Sequence, residues 1–151
     1  MIALHDNSPA VVSPGIYPML YAFFDDRGVL RQDPFRRQVD AALGTQAAGV
    51  AILGLGTEVS KLTFDERIEV LEVVAKHIDG RKPLLATVYG DTTTEQIEFS
   101  KRAIQSGASA LTLQPPSQKI DDAKLADFFS EIIAAVDCPV GIQNAPEFLG
   151  F

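Results

Sequence analysis

Five short apolar runs punctuate the chain. They are IYPMLYAFF from Ile16, GVAILG from Gly49, PLLATVY from Pro83, ASALTLQ from Ala108 and CPVGIQN from Cys138. Most are apolar throughout and do not alternate with polar residues, the pattern of strands covered on both faces. Between the runs the period changes to that of a helix. Leu125, Phe128, Phe129, Ile132, Ile133 and Val136 follow the spacing i, i+3, i+4, i+7, i+8, i+11. Ile68, Leu71, Ala75 and Ile78 make a second stripe, with Glu69, Glu72 and Lys76 turned away from it. Phe35, Val39, Ala42 and Leu43 make an earlier one, and Ile97 and Ile104 a sparser one within residues 95–105. Each stripe is wide enough to cover a sheet.

The punctuation agrees with this division. Asp33-Pro34 offers a cap followed by proline at the first helical position. Thr63 with Glu66, and Thr92 with Glu95, have the spacing of a capping box. Gly49, Gly80 and Gly107 follow the first three helices as stops. The predicted order is therefore β-α-β-α-β-α-β-α-β, repeating every ~30 residues as βαβ units do. Such alternation means a parallel sheet, either open and doubly wound or curled into a barrel. A complete five-stranded flavodoxin-like sheet predicts strand order 2-1-3-4-5. The start of a barrel predicts sequential order.

Composition narrows the function classes. The 151 residues are 46% hydrophobic and 22% charged, enough for one domain with an ordinary core. The net charge of −7, spread along the chain, argues against nucleic acid as a partner. No apolar run approaches membrane-spanning length, and the first residues lack the basic and apolar regions of a signal peptide. A cytoplasmic location without membrane association is the expectation. Residues 1–14 read as a flexible N-terminal arm and residues 15–151 as the folded unit. The single cysteine, Cys138, excludes an internal disulfide and reads as a buried, inert thiol.

The segment GVAILGLGTEVSKLTFDER, beginning at Gly49, carries the chemistry. It is a strand, a glycine-broken loop and a helix start. A dinucleotide fingerprint needs a third glycine where Val59 stands, and it belongs after the first strand rather than the second. No Gly-Lys-Ser/Thr phosphate loop is present. Gly54 and Gly56 permit a sharp turn, and backbone N–H groups in such a turn form a concavity for an anion. The loop leaves the C-terminal end of a parallel strand, where α/β proteins place their chemistry.

Four segments in order resemble the dihydrodipicolinate synthase / N-acetylneuraminate lyase family of class I pyruvate aldolases. They are FFDDRGVL, GLGTEVSKLTFDER, ASALTLQPP and QNAPEFLG, and the resemblance covers residues 15–151. It implies the first five βα units of a (β/α)8 TIM barrel, a partial barrel truncated after strand 5. It implies a lyase acting on pyruvate or a related 2-keto acid through a lysine–substrate imine, with no other cofactor and no metal. The imine lysine falls on the sixth strand and so beyond Phe151; Lys61, Lys82 and Lys119 are solvated lysines in this reading. Whole members of the family commonly form homo-oligomers, and the half barrel alone is expected to self-associate through its open edges.

By match, the substrate carboxylate falls to Gly54, Leu55, Gly56 and Thr57, with backbone donors at Gly56 and Thr57 and the Thr57 hydroxyl as anchors and Glu58 as a brace. Leu55 and Gly56 stand where relatives carry hydroxyls. Gln143 stands at the position of the family's catalytic tyrosine, and a second family tyrosine falls near Pro116 or Ser117. Phe148 replaces the arginine that holds a second carboxylate in the synthases. Tyr89, Tyr21 and Asn144 are further candidates for the barrel mouth. No residue of this chain is assigned as catalytic. The alternative is a diverged barrel that binds a small carboxylate without the family's proton relay.

Overall fold

The computed structural model describes residues 12–143 and 145. Among these, helices and strands alternate: α1 (Gln32–Leu43), β1 (Val50–Ile52), α2 (Phe64–Ile78), β2 (Leu84–Val88), α3 (Thr93–Gln105), β3 (Ala110–Leu113), α4 (Asp122–Ala134) and β4 (Val140–Ile142). Two single 3-10 turns, Leu55–Thr57 and Val59–Lys61, lie between β1 and α2. The sheet is parallel in the order β1-β2-β3-β4. No helix of the described residues is long and apolar enough to cross a membrane.

The first apolar run forms less strand than its composition predicts. It meets β1 through a single parallel bridge, Met19 to Ala51. Leu20 N donates to Ala51 O, and Ala51 N to Pro18 O. Pro18 has no N–H to give, so the ladder cannot run on through it, and proline in a sheet belongs on an edge. The run lies on the free side of β1, since β2 takes the other. The spatial order is thus sequential, which excludes the flavodoxin-like order.

Helix boundaries follow local chemistry, with instructive exceptions. Thr63 completes a capping box with Glu66. Thr92 caps α3 by accepting from Glu95 N, but the Glu95 carboxylate goes elsewhere. Asp33-Pro34 is not a cap: α1 begins at Gln32, and Arg31 stands at the cap without a side-chain bond. Gly44, not Gly49, follows α1.

One core runs between sheet and helices. Val50, Ile52, Leu84, Ala86, Val88, Leu111 and Leu113 from the strands meet Phe35, Val39, Val70, Leu71, Val74, Phe99 and Ile132 from the helices. On α2 the buried stripe is Val70, Leu71, Val74 and Ile78, rotated from the predicted one, with Ile68 and Ala75 only half-buried. Ile133 of α4 is exposed, because α4 sits at the last strand. Both sheet edges are open among the described residues, and Ile16, Tyr21 and Ile142 are exposed there. An apolar hollow of about 500 Å³ lies against the first edge, between Pro18, Met19 and the Ala41–Ala42 face of α1.

Candidate functional site

The loop after β1 is held in an unusual backbone shape. Leu53 and Glu58 both adopt left-handed conformations, with φ of 62° and 57°. Such values strain a side chain with a Cβ, and they fold residues 53–58 into a tight crook. Thr57 locks it from inside. Its buried hydroxyl donates to Leu20 O at 2.5 Å and accepts from Leu53 N at 3.0 Å. Its backbone N–H donates to Gly54 O. Neither donor of Thr57 is therefore free for a ligand, which corrects the expectation that Thr57 anchors a carboxylate. Its single O–H points into the wall.

The free donors are one residue earlier. The N–H groups of Leu55 and Gly56, at the start of the 3-10 turn, have no hydrogen-bond partner among the described residues. These are the orphan donors that any helical turn leaves at its beginning. Gly54 supplies the room beneath them: a Cβ there would collide with the Met19 methyl. The Tyr21 ring lies beside Gly56, close to where a Cβ on that glycine would stand.

The strand ends bring further groups to the same rim. A cleft of about 330 Å³ is lined by Leu55 after β1, Tyr89 after β2, and Gln114, Pro115 and Ser117 after β3, with Glu58 and Lys61 at its lip. Lys61 Nζ lies 2.5 Å from Glu58 Oε1, and both are exposed, so the pair closes the lip without adding net charge. Ser117 N donates to Asp91 Oδ1 at 2.8 Å, tying the β3 loop to the β2 loop. That bond, then the Ser117 side chain and then the Arg67 charge, hold the Asp91 carboxyl below the usual carboxylate range.

Arg67 is the clamp under this rim. It is buried, and its guanidinium donates to Tyr89 O and to Glu95 Oε1 (2.8 Å), while Nε donates to Thr63 O at 3.3 Å. The rings of Phe64, Tyr89 and Phe99 lie 5.5, 5.7 and 6.0 Å away, within cation–π range. Glu95 also accepts from Asp91 N. This explains why Glu95 does not close a capping box: its carboxylate is drawn to the buried cation.

Gln143 follows β4 and Gln114 follows β3, and Gln114 Nε2 donates to Gln143 Oε1 at 2.8 Å. Gln114 is 1% exposed. Its own carbonyl accepts from Gln96 Nε2 at 2.9 Å, and Gln96 is itself buried. The sequence pattern singles out Gln143 as a candidate but not Gln114, Gln96, Arg67 or Asp91, which the fold brings to the same rim. The polar end of an otherwise apolar run before Pro115-Pro116 was the available signal for Gln114. Asn144 and Phe148 lie outside the described residues.

The lysines sit as follows. Lys119 is exposed. Lys82 is not solvated as expected: its Nζ donates to Thr45 O and Ala47 O at 3.0 and 2.5 Å, beyond the C-terminal end of α1. Cys138 is half-buried, and burial, with Asp137 second, raises its thiol pKa.

The chain matches the model of the dihydrodipicolinate synthetase family over residues 13–150. It is 33% identical over 120 residues to a 4-hydroxy-tetrahydrodipicolinate synthase of Pelobacter propionicus, covering 79% of this chain and 41% of that protein. It is 30% identical over 137 residues to a putative 2-dehydro-3-deoxy-D-gluconate aldolase, YagE, of Escherichia coli, covering 90% of this chain and 45% of that one. The crystal structure of YagE in complex with pyruvate superposes with a TM-score of 0.85 and covers 90% of this chain and 46% of that chain. The chain thus spans about half the length of the curated relatives it matches.

Proposed function

Since the chain belongs to the dihydrodipicolinate synthetase family, we propose that it provides the carboxylate-holding half of a 2-keto acid site in a Schiff-base lyase or aldolase. The observation that carries this reading is the pair of N–H groups at Leu55 and Gly56, without partners among the described residues, at the C-terminal end of a parallel strand. The solved relative bound to pyruvate supports the substrate class. The loop is set in shape before any ligand arrives, because two left-handed residues and the Thr57 hydroxyl hold it. Donors held in place cost little reorganisation when an anion binds.

In this reading the carboxylate accepts from Leu55 N and Gly56 N, and the ketone carbon faces a lysine amine. The amine adds to that carbon and water leaves, giving an imine that withdraws electrons from the neighbouring carbon. Lys61, Lys82 and Lys119 are not given the amine's role, because the first two are held by Glu58 and by backbone carbonyls and the third is exposed to solvent. By the family resemblance the amine belongs to a lysine on a sixth strand, after the described residues. Gln114 and Gln143 orient the substrate and carry no proton, since an amide does not titrate in the working range. Proton transfer falls to another group.

Leu55→Pro tests the donor pair. Leu55 opens a 3-10 turn and Gly54 before it is extended, so proline fits the backbone while deleting one N–H. Losing one hydrogen bond to a charged group predicts an affinity for pyruvate lower by about tenfold or more, with the fold intact. An unchanged affinity defeats the reading. Borohydride reduction of the natural gene product with pyruvate, read by intact mass, tests the imine. Binding without an adduct would leave a carboxylate-binding barrel and remove the lyase.

A further inference from the structure

We propose that Met19 is a modification site: a hydroperoxide oxidises its thioether to the sulfoxide, and the new oxygen takes the N–H groups that otherwise hold the substrate carboxylate. This deepens the 2-keto acid reading and rests on it.

Met19 belongs to the first apolar run, and its side chain passes beneath the loop after β1. Gly54 N–H donates to Met19 Sδ at 3.3 Å. A Cβ added at Gly54 would stand 3.1 Å from that sulfur, and one added at Gly56 would stand 3.2 Å from Met19 Cγ. The side chain therefore runs along the turn that carries the N–H groups of Gly54, Leu55 and Gly56. A thioether is a weak acceptor. It takes the Gly54 N–H and leaves those of Leu55 and Gly56 without partners among the described residues.

Met19 is half-buried and forms part of the wall of the hollow of about 500 Å³ at the first edge, which gives a small oxidant a way in. The other sulfur among the described residues, Cys138, is a poorer target, because a thiol reacts as its thiolate and burial raises the Cys138 pKa. A thioether needs no deprotonation. Its sulfur lone pair attacks one peroxide oxygen and the O–O bond breaks. The second oxygen leaves with the proton of the first, as water or an alcohol. Sulfur gives up two electrons and the peroxide takes them.

The product is a polar side chain where an apolar one stood. Its oxygen is a strong acceptor set against consecutive N–H donors. It also needs room where Gly54 leaves no space for a Cβ beside the Met19 methyl. Competition for the donors and crowding of the loop act in the same direction, against the carboxylate. Sulfoxide reductases undo the oxidation, so the block is reversible.

The natural gene product treated with hydrogen peroxide tests this, with a methionine peptide in the same tube as the rate reference. Peptide mass mapping should show an oxygen gained at Met19 while the circular dichroism spectrum stays that of the folded protein. Pyruvate affinity, followed by ¹⁵N NMR, should fall by about tenfold, the loss of one hydrogen bond to a charged group. The Leu55 and Gly56 amides should shift on oxidation before any pyruvate is added. Methionine sulfoxide reductase should restore both. Met19→Leu has no sulfur there to oxidise and keeps Cys138, so its affinity should be the same before and after peroxide. Met19→Gln sets a carbonyl oxygen near the same N–H groups and should weaken pyruvate without peroxide.

If Met19 gains its oxygen in the folded protein and neither the two amides nor the pyruvate affinity change, the inference is overturned and the 2-keto acid reading stands. It is overturned equally if Met19 stays unoxidised while the reference peptide is consumed, or if affinity is lost only together with the folded spectrum. The same holds if Met19→Leu loses affinity to peroxide as the unaltered protein does. If the unoxidised protein binds no pyruvate, both fall.

Discussion

Replacing Thr57 by valine removes one oxygen and keeps the side chain's shape. In this fold that oxygen bridges two buried backbone groups, the N–H of Leu53 and the carbonyl of Leu20. Leu53 and Leu20 are 0% and 2% exposed, so water does not readily replace the lost partner. A stranded buried group costs about 1–3 kcal/mol. Two of them, less about 1 kcal/mol for the extra apolar burial, give a net loss of about 3 kcal/mol. That is a large share of the 5–15 kcal/mol that typically holds a domain. Thr57→Ser keeps the oxygen and loses a methyl, so its cost should stay near 1 kcal/mol. Chemical denaturation followed by circular dichroism measures both variants. Pyruvate titration of the folded valine variant should show affinity within about threefold of the original, since less than 1 kcal/mol is at stake where the hydroxyl faces the wall. The reasoning is refuted if the valine variant is as stable as the serine one. It is refuted equally if pyruvate binding collapses while stability does not change.

Three further outcomes follow from the same contacts. Leu53→Gly should be no less stable than Leu53→Ala, reversing the usual penalty for glycine of about 1 kcal/mol, because the left-handed φ of 62° favours glycine; a deficit in denaturant midpoint would count against strain there. Asp91 has its folded pKa lowered by Ser117 N–H, the Ser117 side chain and Arg67, so its contribution is present above the unfolded value of about 3.9 and is lost as pH falls through the lower folded one; Asp91→Asn should flatten the stability profile in that acid window, and an unchanged profile would refute the tie. The chain should associate as concentration rises, through edges that leave Ile16 76%, Tyr21 58% and Ile142 51% exposed, and a monomer across the range in analytical ultracentrifugation would contradict this.

Local pattern alone determined much of this protein. Continuous apolar runs gave β1 to β4, the helical period gave α1 to α4, and Thr63 with Glu66 gave a complete capping box, because each signal is contained within a few residues. The loop after β1 was legible as the candidate site for the same reason: its glycines and its place after a strand are local facts. Tertiary structure decided the rest. Pro18 weakened the first run into a single bridge only because β1 lies beside it. Glu95 left its capping box for Arg67, a partner 28 residues away. The Thr57 hydroxyl turned inward to Leu20, 37 residues earlier, which moved the free donors to Leu55 and Gly56. Gln114 and Gln143 met across 29 residues because β3 and β4 are neighbours in register. Spacing along the chain carries no record of such meetings. The register of parallel strands creates them, and it is set by the whole core at once.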